Sequence, residues 1–168
     1  MTKTMMIAAI LLTAAATAHA GGQAGSFGLG AEADLSGVAG IAGSYDAGKF
    51  HATALFGLAT DAGGTNASEV DIAGLFFYHL HQTALADFGL GGGLDIASVP
   101  QMAAMGGTNR TTNVYLEPAF QIRLFVASNV ALSFTSGINI GLSNGTNTVV
   151  IGQGTSLQGG AGVTYYFF

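Results

Sequence analysis

Six carboxylates recur at alternate positions of otherwise apolar stretches: Glu32, Asp34, Asp71, Asp87, Asp95 and Glu117. One cation, Arg123, holds an equivalent position further along the chain. Buried carboxylates without partners are costly or take up a proton. The set therefore fits either a hydrogen-bonded network around Arg123 or a narrow hydrated path that prefers cations. The histidines offer less. In His79-Leu80-His81 one ring belongs to the polar face of a strand and the other to the turn after it, so the two do not converge on a metal. No serine accompanies His79 as a Ser–His–acid triad demands, and the histidines, His51 included, read as isolated polar or turn residues. The chain has no Cys, which excludes disulfides, thiolate metal sites and cysteine nucleophiles. Gly89-Leu90-Gly91-Gly92-Gly93 imitates a phosphate loop, but such a loop must open a helix, and this one lies inside an alternating strand. Asn66-Ala67-Ser68 and Asn144-Gly145-Thr146 match sugar acceptors and read as loop composition. We expect no catalytic site, no metal and no cofactor.

The elements that must position these residues are strands, because the hydrophobic period is two throughout. Phe27, Leu29 and Ala31 oppose Glu32 and Asp34; Ile72, Phe76 and Tyr78 oppose Asp71 and His79; Leu90, Leu94 and Ile96 oppose Asp95. Leu116, Phe120 and Ile122 oppose Glu117, Gln121 and Arg123. Eight strands are expected, beginning near Phe27, Val38, Phe50, Val70, Phe88, Val114, Val130 and Gln158. The second is the least amphipathic, and Leu55 blurs the faces of the third. Short connections at 46–49, 81–84 and 127–129 alternate with longer Gly-, Asn- and Thr-rich ones at 61–68, 97–112 and 142–155. Ser36-Gly37 is the exception, leaving almost no loop where a longer one is expected. Glu32, Asp34, Asp71, Asp95, Glu117 and Arg123 all share the less apolar face, and a one-residue slip would move every one to the other side. A soluble sandwich would turn that face to water; a membrane barrel would turn it to the lumen.

Composition separates the two. Only 8% of the 168 residues are charged while 49% are hydrophobic, where an ordinary globular protein carries roughly 25% charged residues. A water-exposed face would be expected to carry more charge than this, whereas a crowded interior needs little charge and many small residues, and the chain has 27 Gly. Four Lys and Arg against nine Asp and Glu exclude a basic nucleic-acid binder. Residues 1–20 read as a secretory signal: Lys3, an apolar run from Met6 to Ala16, and Ala18-His19-Ala20 as the cleavage site. That leaves 21–168 as one domain, and no later apolar run is long enough for a spanning helix.

The chain ends Gly162-Val163-Thr164-Tyr165-Tyr166-Phe167-Phe168. Phe168 with Tyr166 two residues before it resembles the C-terminal assembly signal of bacterial outer-membrane barrels. With the leader and eight strands, the chain is similar to the small barrels of the OmpA/OmpX type. It departs from them at Thr164, Gly162 and Gly160, where outward positions are usually more hydrophobic, and Val163, Tyr165 and Phe167 fit an apolar face equally well. The resemblance implies an all-β, eight-stranded antiparallel up-and-down transmembrane barrel in the bacterial outer membrane. Implied partners are outer-membrane lipids and the barrel assembly machinery. The expected role is structural or surface-interacting, through loops 61–68, 97–112 and 142–155, as a monomer. The alternative is a small cation-preferring channel.

Overall fold

The computed structural model describes residues 24–60, 67–102, 107–142, 148–150 and 159–167, so the expected leader and Phe168 lie outside the described residues. Among the described residues are ten strands and no helix: β1 Ser26–Ala33, β2 Ala39–Asp46, β3 Phe50–Ala59, β4 Glu69–Gln82, β5 Ala86–Met102, β6 Thr108–Ala127, β7 Val130–Gly137, β8 Asn139–Gly141, β9 Thr148–Val150 and β10 Gly159–Phe167. Neighbours pair antiparallel from β1 through β7, β7 pairs with β10, and β10 returns to β1. Eight strands thus close into a barrel. β8 follows β7 past Ile138 and pairs with the upper part of β6, and β9 adds to β8.

Alternation sorts the side chains as expected. Leu55 turns inward and is buried, as is Phe77, while Phe56, Ile72 and Phe76 point out. β2, for all its Ala and Gly, follows the same rule with Ala42, Ser44 and Asp46 inside. In β10 the inner residues are Thr164 and Tyr166, and the outer face is Val163, Tyr165 and Phe167. The hydrophobic alternate set of the last strand is therefore the odd-numbered one, because register with β1 pairs Leu29 with Tyr165 and Phe27 with Phe167 on a common outer face.

The missing loop at Ser36-Gly37 has a physical explanation. Asp34 Oδ1 accepts hydrogen bonds from the backbone N–H of Ser36 (3.0 Å), Gly37 (3.1 Å) and Val38 (3.0 Å) and from the Ser36 hydroxyl (2.7 Å). Gly37 takes φ 97°, open to glycine at no steric cost. The resulting turn folds into the barrel: Leu35 packs on Leu75, Phe77 and Ala119, and Val38 on Ala42, Leu55 and Ala73.

The expected 97–112 loop is instead largely strand. β5 and β6 stay in register from Ala97↔Asn113 to Met102↔Thr108. Val99, Thr111, Thr112 and Val114 are β-branched and suit an extended chain, and Arg110 clamps the neighbouring strand through Ser98 (Nε to Oγ 3.0 Å, Nη2 to carbonyl 3.0 Å). The other two expected long loops fall mostly outside the described residues, apart from β9.

At Gly92, φ is 156° and a Cβ would collide with the Glu117 carbonyl of β6. Gly74 on the adjoining strand has open space at the same position. Gly92→Ala should therefore destabilise the barrel by about 2 kcal/mol, in the range of strained backbone positions, while Gly74→Ala leaves it unchanged. Urea-unfolding midpoints test the contrast, and equal midpoints for the two variants contradict it.

Candidate functional site in the barrel interior

Every acid singled out from the sequence faces the interior and is buried, and so is Arg123. They do not form one network. Glu117 and Arg123 stand six positions apart on β6, which at ~3.3 Å per residue separates them by about 20 Å. The interior is consequently layered, with Arg123 near the short-turn end and Asp34, Asp71, Asp95 and Glu117 near the long-loop end.

Around Arg123 the contacts are dense. Nη2 pairs with Asp46 Oδ2 (2.7 Å) and Asp87 Oδ2 (2.6 Å), and approaches His79 Nε2 (3.0 Å). Nη1 donates to the Tyr166 hydroxyl (2.8 Å). The guanidinium also lies over the Phe125 ring at 5.4 Å and the Tyr166 ring at 6.0 Å, which adds cation–π attraction in a desolvated setting. An arginine only donates, so His79 Nε2 accepts. His79 Nδ1 lies 2.8 Å from the Gly48 carbonyl and 2.9 Å from Gln82 Nε2. His51 Nδ1 lies 2.7 Å from His79 Nε2.

These contacts correct the reading of isolated histidines. His51 is paired directly with Phe77, and His79 is the next inward residue on β4, so the two rings meet diagonally across neighbouring strands. Asp46, too, had passed for a turn residue. The parity of β2 carries the signal, since Ala42, Ser44 and Asp46 form its inner face. Ligand atoms of Asp46, His79 and Asp87 lie within 4.8 Å of one another, a spacing compatible with a metal ion. Arg123 Nη2 is in contact with all three, so the guanidinium takes the role of the cation there.

Glu32 occupies an intermediate level. Its Oε1 accepts from Gln121 Nε2 (3.1 Å) and the Ser133 hydroxyl (3.4 Å), and Gln121 also donates to Thr135 (2.9 Å). Nearer the long loops, Glu117 accepts from the Leu35 backbone (3.3 Å) and Asn139 (3.2 Å). In the turn between β1 and β2, burial pushes the Asp34 carboxyl above its ordinary range against the pull of its four donors. Tyr166, one half of the C-terminal pair, is an inner residue: its hydroxyl meets Arg123 and its N–H donates to the Asn129 carbonyl (2.7 Å).

Fold and interior together define a closed eight-stranded antiparallel β-barrel with its charge held inside. No protein-family model, curated protein or solved structure matches the chain.

Truncating one member of a buried ion pair leaves its partner charged and uncompensated, at a cost of about 3–5 kcal/mol. Arg123→Ala should fall in that range, because two acids lose their counter-ion. Glu32→Gln, which keeps a hydrogen-bonding amide in place, should stay within about 1 kcal/mol. Denaturant midpoints that rank the two variants the other way contradict the layered interior.

Proposed function

We propose that this chain is a bacterial outer-membrane β-barrel whose interior is sealed, with a structural or surface-interaction role. The observation that carries the reading is the outer wall. Among the described charged residues only Lys49, Glu69 and Arg110 escape burial, each at a turn or towards a strand end. Between them the outward positions are almost all Leu, Ile, Phe, Tyr, Val, Ala, Gly and Pro, with Leu29, Ile41, Phe56, Ile72, Leu90 and Ile122 all exposed. An apolar surface of this extent is unfavourable in water and natural in a bilayer.

A rim of aromatics supports the same reading. Phe167, Phe27 and Tyr45 stand side by side across β10, β1 and β2, and Phe50 and Tyr78 continue the band on β3 and β4. All lie at the short-turn end, where an interfacial girdle belongs. The expected leader and C-terminal signal would deliver such a chain to the outer membrane.

Two filled cross-sections support a sealed interior. One is Arg123 with Asp46, Asp87, His51, His79 and Tyr166; the other is Leu35 with Leu75, Phe77 and Ala119. Eight strands leave an interior just wide enough for such side chains. The acid-rich long-loop end favours the second reading, a small cation-preferring channel, and both filled layers weigh against it.

The chain should remain in urea-washed outer membranes and migrate faster on gels before boiling than after. In planar bilayers it should give no resolved conductance steps. Recovery from the soluble periplasm without detergent defeats the membrane reading, and cation-selective steps replace the sealed barrel with the channel.

A further inference from the structure

Asp34, Asp71, Asp95 and Glu117 have no equivalent of Arg123. Among the described residues, Arg123 is ion-paired to Asp46 and Asp87, Arg110 is bonded to Ser98, and Lys49 lies on a short turn at the opposite end. The four acids nevertheless face one another. Asp95 stands opposite Ala73 on β4 and Tyr115 on β6, so Asp71 and Glu117 are its diagonal neighbours on the inner face. The inturned Asp34 adds a fourth negative charge that repels the other three.

Donors run short here. Asp34 Oδ1 and both Glu117 oxygens are satisfied by the contacts described above. Asp34 Oδ2, Asp71 Oδ1 and both oxygens of Asp95 are buried without a hydrogen-bond partner, and Asp95 is 0% exposed. The Ser36 hydroxyl donates to Asp34, and Ser36 and the Ile96 backbone lie beside Asp95 without a well-formed hydrogen bond to it. A fully buried carboxylate with no well-formed hydrogen bond to either oxygen, aimed into a group of like charges, calls for a positive ligand. The ligand atoms are all oxygens, which suits hard cations and not zinc or copper. These oxygens do not gather as closely as the ligand atoms of Asp46, His79 and Asp87, so an ion here retains part of its hydration shell.

We propose that Asp34, Asp71, Asp95 and Glu117 form a chamber that binds one hard divalent cation, Ca²⁺ or Mg²⁺, partly through the cation's own water. The inference needs the barrel but not its membrane placement, so it is tested on the full chain folded in detergent.

Tb³⁺ serves as the probe for a Ca²⁺ site. The chain has no Trp, and Tyr115 lies directly across from Asp95, so tyrosine excitation should sensitise Tb³⁺ luminescence in a saturable manner. Excess Ca²⁺ should abolish the signal. Tyr115→Phe should weaken the luminescence roughly tenfold while preserving the rise in Tm that Ca²⁺ produces by linkage over NaCl of equal ionic strength. Asp95→Asn should remove both, and Asp71→Asn, at the wetter edge of the chamber, should weaken Ca²⁺ affinity by about tenfold. The second variant keeps the test open should Asp95→Asn fail to fold. Luminescence that Ca²⁺ cannot compete away, or that survives Tyr115→Phe, overturns the assignment. So does a Tm that responds to acid but not to divalent ions, because protons then neutralise the chamber.

Discussion

The guanidinium of Arg123 on β6 meets side chains from four other strands: Asp46 of β2, His79 of β4, Asp87 of β5 and Tyr166 of β10. No other described side chain ties so much of the ring together. Its demands explain much of the local structure. Both acids lie against the same Nη2, Asp87 as a hydrogen-bond acceptor and Asp46 as an ion-pair partner, while Nε has no hydrogen-bond partner and the aromatic rings of Phe125 and Tyr166 lie against the guanidinium. His79 turns Nε2 to the guanidinium, which leaves its other nitrogen against the Gly48 carbonyl of the β2–β3 turn. Tyr166 must point inward, which sets the parity of β10 and brings Tyr165 and Phe167 to the outer rim.

Strand existence and parity were legible because the period of two is physical: a slip by one residue reverses every face. Even Leu55, ambiguous by composition, could be assigned from its neighbours Thr53 and His51, which it joins on the inner face. What lay beyond the sequence was register. Nothing in the spacing of His51, His79 and Asp46 says that closure will bring them together, since that depends on how β2, β3 and β4 align. The 97–112 segment misled for a different reason. Its Gly and Asn content signals turns, but Val99 meets Thr111 and Ser98 meets Thr112 across the pair, and these contacts outweigh it. The Ser36-Gly37 connection could have been read from Asp34 followed by Ser and Gly, a combination that closes on its own backbone. That it folds inward depends on Leu35 and Val38 finding apolar partners inside.

Charge is distributed unequally along the interior. Near the short turns one cation faces two acids; near the long loops four acids face one another among hydrogen-bond donors too few to satisfy them. Leu35, Leu75, Phe77 and Ala119 form an apolar layer against the acid group, with Leu35 bonded to Glu117 through its backbone. That layer separates the two charged groups, and it lowers the effective dielectric around both. The two ends therefore differ in character: an ion pair that fixes the wall, and an acidic region with no protein cation of its own.

Such a costly interior has a structural use in a chain whose outer wall is nearly uniform. Leu, Ile, Val and Phe are close to interchangeable on that wall, so a strand shifted by two residues would keep its faces and lose little outside contact. Inside, the same shift moves Arg123 by about 6.6 Å relative to its neighbours, beyond ion-pair reach of Asp46 or Asp87. Parity excludes shifts of one residue, and the buried charges exclude shifts of two. An apolar interior of equal volume could be as stable, as replacement of buried ion pairs by hydrophobic residues often is, yet it would leave the even-numbered registers close in energy. The interior polar residues are thus what selects one closed ring from several that the hydrophobic pattern alone permits.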